Sequence, residues 1–138
     1  MAQADKFGDP KYALTRHLSD VSFDQAVARA RAALADQGFG VLTEIDVKAT
    51  FKKKLDVDWR NYLILGACNP PLAHQALQGE AGVGVLLPCN VVVAEDADGA
   101  IAVSAIDPQA MFSVVNTPGM EPIVDQVRTK LQSAIEAL

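Results

Sequence analysis

Two cysteines, two histidines, one tryptophan and two tyrosines are all that the 138 residues hold of the side chains most often met at metal, redox and stacking sites. Cys68 and Cys89 stand too far apart for a Cys-x-x-Cys knuckle, so neither a closed zinc site nor a disulfide framework is expected. Positive charge is scarce as well: 12 Lys and Arg face 17 Asp and Glu, for a formal net charge of -5. A nucleic-acid partner is therefore not expected, because that role needs a basic surface to displace counterions from phosphate. Long apolar runs are missing. Tyr62 to Cys68 and Val83 to Ala94 fall below the roughly twenty residues that span a bilayer, and Pro88 and Asn90 interrupt the second, so no membrane partner is expected. Met1 to Pro10 is polar, without the apolar stretch of a secretory signal or the Arg-rich amphipathic pattern of a transit peptide, which points to a cytoplasmic protein with reduced thiols. Gly-x-Ser-x-Gly, His-Glu-x-x-His and a phosphate loop are all absent, and Gly79, Gly82 and Gly84 do not follow the dinucleotide fingerprint. No enzyme is expected from motifs.

What is present is a globular balance, 50% apolar and 21% charged, which predicts one domain over residues 1–138 with a loose segment at 1–10 and a core at 12–138. A chain of this length buries roughly two thirds of its unfolded surface and needs no metal to stay folded. Twenty-two alanines predict close contact between helices and sheet instead of aromatic filling.

The periodicity predicts a strand over Tyr12 to Leu18 and a helix opened by Ser22 and Gln25 as a capping box, closing at Gly38. A half-buried strand is predicted from Phe39 to Asp46, with Phe39, Val41, Thr43 and Ile45 on one face. Val47, Phe51 and Leu55 then mark a short amphipathic helix whose lysines, Lys48 and Lys52 to Lys54, read as a solvated face paired with Glu44, Asp46, Asp56 and Asp58. Tyr62 to Cys68 reads as a central strand, and Asn69 and Pro70 as the cap and first residue of a helix closing near Gly79. Val83 to Glu95 and Ala100 to Ile106 read as β segments joined at Asp98 and Gly99, with Pro88 at an edge, a bulge or a strand start. A last helix starts near Pro122. The fold class predicted is α+β: a two-layer sandwich, a mainly antiparallel sheet of about five strands with helices on one face, built as a ferredoxin-like βαββαβ core plus a C-terminal strand and helix.

The strings Gly38-Phe39-Gly40-Val41, Glu44-Ile45-Asp46, Ile64 to Pro70, Leu72-Ala73-His74 and Leu86 to Val91 form an ordered set. In them the chain closely resembles the bacterial domain-of-unknown-function family numbered three hundred and two, from about Tyr12 to Pro108. The resemblance implies a small two-layer α+β domain that often self-associates, and assigns no biochemical role.

The residues themselves put the chemical interest at Cys68 and Cys89. Cys68 directly precedes a helix start, where unpaired backbone donors and the dipole favour a thiolate prepared for a soft metal, a sulfur species or an oxidant. Cys68, Asn69, Cys89 and Asn90 are the candidate ligand-binding residues, and Cys68, Cys89 and His74 the candidate metal ligands, with a transition metal or haem as the cofactor readings. The plain alternatives are two cysteines in a core, a solvent-facing His74, and asparagines that cap helices or tie loops. Met111, Phe112 and Met120 read as core or subunit contact, and His17 as an edge residue. Two functions follow: a binding or sensing protein for a metal, metallocofactor or sulfur species at Cys68 and Cys89, or a non-catalytic homodimeric interaction or scaffold domain.

Overall fold

The computed structural model describes residues 6–138. Of the loose segment expected at the amino end, residues 1–5 lie outside the described residues, whereas the backbone N–H of Phe7 donates to Asp96 Oδ1 at 2.7 Å and holds that stretch against the sheet. The strands are β1 (Ala13–Leu18), β2 (Gly40–Asp46), β3 (Tyr62–Cys68), β4 (Cys89–Glu95) and β5 (Ile101–Ile106), and the helices α1 (Phe23–Asp36), α2 (Val47–Leu55), α3 (Pro70–Gly79), α4 (Pro108–Met111) and α5 (Glu121–Glu136). The strands form one sheet in the order β1-β5-β4-β3-β2, every neighbouring pair antiparallel.

The two-layer α+β sandwich with a five-stranded antiparallel sheet is thus present. Within it the strand order departs from that of a ferredoxin-like core, in which the first strand lies inside the sheet. Here β1 forms an edge and β5 runs between β1 and β4, so the β4–β5 hairpin fills the middle instead of extending one side. The tight connection makes this neighbourhood obligatory: Gly99 takes φ +87°, Asp98 accepts from the N–H of Ala100, and the N–H of Asp96 closes onto the Ala100 carbonyl.

Successive residues of β3, β4 and β5 point to opposite faces, and Leu63, Leu65, Val91, Val93, Ile101 and Val103 share the face that α1 and α5 cover. Alanines 26, 30 and 33 of α1 and Ala134 of α5 are buried there, which lets both helices lie close to the sheet, as the alanine content predicts. At the start of α1, the Ser22 hydroxyl accepts from Gln25 while the Gln25 side chain accepts from the Ser22 N–H. At the end of α5, Arg16 of β1 donates to the Glu136 carbonyl at 2.7 Å, satisfying an acceptor the helix leaves open. A second cluster joins Ala76 of α3, Val83, Phe112, Met120 and Val124, so the methionine-rich region serves as core.

Two segments differ from the sequence expectation. Residues 81–86 form a 3-10 turn, and the strand begins only at Cys89. Pro88 has no N–H for a ladder, Gly82 and Gly84 favour a turn, and Val83 drops into the second cluster. In β2 the register shifts between Val41 and Thr43, which moves the following residues to the other face. Phe39 is buried as expected, whereas Ile45 is 50% exposed.

Candidate functional site

Cys68 ends β3 and Cys89 begins β4, and the β3–β4 register sets Cys89 opposite Ala67, the residue before Cys68. Antiparallel pairing therefore brings two residues twenty-one positions apart in sequence onto adjacent strand ends. Both are free thiols, Cys89 buried and Cys68 half-buried. They line one cavity of about 370 Å³ at this end of the sheet, walled by α3 and by the first turns of α5. Its other walls are Phe39, Leu72, Ala76, Leu87, Phe112 and Val124 among further, mainly apolar residues, and among the described residues no Asp, Glu, Lys or Arg takes part.

The helix start beside Cys68 does not act as expected. Asn69 caps α3 as predicted, its Oδ1 accepting from the N–H of Leu72 at 3.5 Å. The next two residues, Pro70 and Pro71, have no N–H, and the N–H of Ala73 already donates to the Asn69 carbonyl. None of the first-turn donors is left for a sulfur anion. Burial, followed by the neighbouring charge of Cys68, instead pushes the Cys89 thiol up to about 11, so it stays protonated across the physiological range. The sequence signal was the Pro70–Pro71 pair: together the two prolines remove half of the four donors that a helix start offers an anion.

A raised folded-state pKa means that the folded chain holds its proton where the unfolded chain has lost it. The stability this contributes is complete below the ordinary thiol pKa of 9.0 and is lost as pH rises toward about 11. At pH 8 the Cys89 thiolate is on the order of 100-fold rarer than that of an ordinary cysteine. Iodoacetamide is therefore expected to alkylate Cys89 at least that much more slowly than a free peptide thiol, with the rate climbing through pH 10, as peptide mapping by mass spectrometry would record. A rate at pH 8 equal to the free thiol's would contradict the burial.

The remaining candidates separate. Asn69 lines the cavity, but its amide is engaged twice, in the cap and as donor to the Gln37 carbonyl at 3.3 Å, where it ties the end of α1 to the start of α3. His74 is exposed and lies outside the cavity lining, because Leu72, Ala73, Ala76 and Leu77 form the helix face turned toward the cavity. Among the described residues no group of three or more His, Cys, Asp and Glu side chains could hold a metal ion, so Cys68, Cys89 and His74 are not assembled as a three-ligand set. Asn90 follows Cys89 in an extended strand and therefore belongs to the other face, where it lines a different cavity. The lysine segment is solvated, with Lys52 pairing with Asp56 at 3.0 Å and Asp58 at 3.4 Å, while Glu44 pairs with Arg31 and Asp46 caps α2. His17 is exposed and meets Asp9 at 3.0 Å. Among the described residues no helix is long and apolar enough to cross a membrane.

An antiparallel five-stranded sheet, one helical layer and an apolar cavity at the sheet's end define a small α+β domain. The chain belongs to the family described as Domain of unknown function DUF302, which it matches over residues 14–138. Among solved structures it is similar to the crystal structure of an uncharacterized conserved DUF302 protein from Bacillus stearothermophilus, with 25% sequence identity and a TM-score of 0.84 over 93% of this chain and 98% of that one. No curated protein matches it.

Proposed function

We propose that this chain is a ligand-binding or sensing domain that takes a small, uncharged, apolar sulfur compound into the cavity walled by Cys68 and Cys89. One observation carries the reading: both thiols of the chain line a single cavity whose other walls are almost wholly hydrocarbon. A charged ligand would lose its hydration there without gaining a counter-charge. A cationic metal would have to draw a proton from Cys89 in that same apolar setting, and haem would bring two carboxylates to a wall without cations, so a neutral ligand is favoured over both. The half-buried Cys68 is the sulfur that meets the ligand, and Cys89 closes the wall as a neutral thiol. Such thiols work reduced, which suits a cytoplasmic setting.

Dipropyl sulfide and Cu(I) are the two probes. On this reading the sulfide raises the melting temperature saturably and protects Cys68 from alkylation, Ala76→Phe removes both effects by filling the cavity, and Cu(I) does not compete. Melting and alkylation unchanged by millimolar sulfide would sink the proposal, and stoichiometric Cu(I) binding that needs both cysteines would replace it with the metal reading.

A homodimeric interaction domain is the second reading, and it has an observation of its own. The edge strand β2 and helix α2 have no buried residue, and Leu42, Ile45, Leu55 and Val57 stand 40–66% exposed along them. An unpaired antiparallel edge flanked by apolar side chains suits pairing with a second copy of itself. Light scattering on the same samples would return twice the 14.7 kDa chain mass, and a monomer would retire this reading.

A further inference from the structure

The face of the sheet away from α1 and α5 carries a second cavity, of about 410 Å³, which shares no lining residue with the cysteine cavity. A chain with only two tyrosines and one tryptophan places all three there: Tyr12, Trp59 and Tyr62. Phe7 joins them, its ring tilted against Tyr62 with centroids 6.4 Å apart, and the Phe7–Asp96 hydrogen bond fixes that ring over the sheet. Beneath them the strands present Val92 and Ala94 from β4 and Ser104 and Ile106 from β5. Burial and then the charge of Tyr12 raise the Tyr62 phenol, as expected for two phenols facing one apolar space. Among the described residues charge in the lining balances, with Lys6 and Arg60 against Glu95 and Asp96. Asn90, exposed at the margin, offers an amide donor and acceptor side by side.

We propose that this cavity, where Arg60 already lies 5.2 Å over the Trp59 ring, binds a planar, uncharged heteroaromatic ring stacked on Tyr12 beside Trp59, with its polar edge toward Asn90. Aromatic walls reward a second ring face to face or edge to face, which a branched aliphatic ligand cannot exploit. The small side chains of Ala94 and Ser104 admit a thin molecule close to the backbone beside Val92 and Ile106. The balanced rim selects against a net charge of either sign, and the amide of Asn90 selects a ring that carries both a donor and an acceptor. The volume falls within the range of ordinary small-ligand sites.

Adenine is the probe, and Trp59, the chain's single tryptophan, is the built-in reporter. Saturable quenching of its emission by adenine is expected, with cyclohexanol producing none. Tyr12→Ser, at a position 63% exposed and so tolerated by the fold, is expected to weaken binding about tenfold, the loss of one stacking partner. Val92→Phe, which puts a ring into the cavity, is expected to abolish it. Ala76→Phe in the cysteine cavity is expected to leave adenine binding unchanged, which separates this site from the other. No saturable quenching, equal quenching by cyclohexanol, unchanged affinity in a folded Tyr12→Ser protein, or loss of binding in an Ala76→Phe protein shown to be folded would each overturn the proposal.

Discussion

Leu131→Ala is expected to lower the free energy of unfolding by about 2–5 kcal/mol, the range for emptying a fully buried leucine site. Leu131 is 0% exposed on α5, within the cluster that also holds Ala30 and Leu34 of α1 and Val91 and Val103 of the sheet. Two features place the loss in the upper part of that range. Three of the four buried α1 side chains in that cluster, Ala26, Ala30 and Ala33, have no rotamers with which to refill a hole, and Arg16 holds the carboxyl end of α5 on β1, which resists an inward shift of the helix. Equilibrium urea unfolding is expected to show a lower midpoint with an unchanged slope, since the native surface hardly alters. The melting temperature should fall by on the order of 10 °C. Leu55→Ala is the control: Leu55 is 65% exposed, and its truncation should change monomer stability by less than about 0.5 kcal/mol. Comparable losses at the two sites would mean that α5 does not form the core of the helical layer.

Those two leucines show what periodicity reveals and what it hides. Leu131 and Leu55 both recur at helical spacing with apolar neighbours, yet the first is sealed and the second lies in solvent. Spacing identifies a helix face; it cannot say whether the sheet has room to cover that face. Elements bounded by strong local chemistry were legible: the Ser22–Gln25 box, the Asn69 cap with Pro70, and the Asp98–Gly99 hairpin all stand where the residues put them. Strand order was not legible, because nothing local distinguishes a hairpin at the sheet's edge from one inserted between β1 and β3. The Val41–Thr43 register shift was equally silent, since alternation continues unbroken through it in sequence.

At the site, the sequence located the two sulfurs but not their electrostatics. A cysteine before an N-cap reads as an anion-favouring position only if the helix start has donors to give, and Pro70, Pro71 and the Asn69 cap leave none. Asn90 follows its cysteine as closely as Asn69 does, yet lines the aromatic cavity instead, because one residue along a strand is a change of face. The aromatic cavity had no sequence signature at all: Tyr12 and the Trp59–Tyr62 stretch come together only because β1 and β3 lie in one sheet with β5 and β4 between them.

Gly66→Ala is expected to destabilise the protein by about 1–3 kcal/mol through overpacking, although the same exchange at an unhindered site stabilises by about 0.4–1 kcal/mol through the unfolded chain. Gly66 lies in β3 between β2 and β4, and a methyl group there would collide with the Thr43 side chain and come within 2.9 Å of Pro88 Cγ. Rotating Thr43 can move its hydroxyl aside, but the proline ring is rigid and its Cγ stays 2.9 Å from the added methyl group, so the backbone must shift. Gly66→Val should exceed the alanine loss. Thr43→Ala in the same chain removes one of the two obstacles, so the double variant should recover about 1 kcal/mol relative to additivity, a coupling measurable by a double-mutant cycle in urea. Additive effects would show that Thr43 does not press on Gly66. Thr43 and Pro88 also line the cysteine cavity, so the same methyl group pushes on its wall. A glycine outside the cavity lining thus shapes one of its walls, and Gly66→Ala should weaken dipropyl sulfide binding, with Thr43→Ala restoring part of it in step with stability.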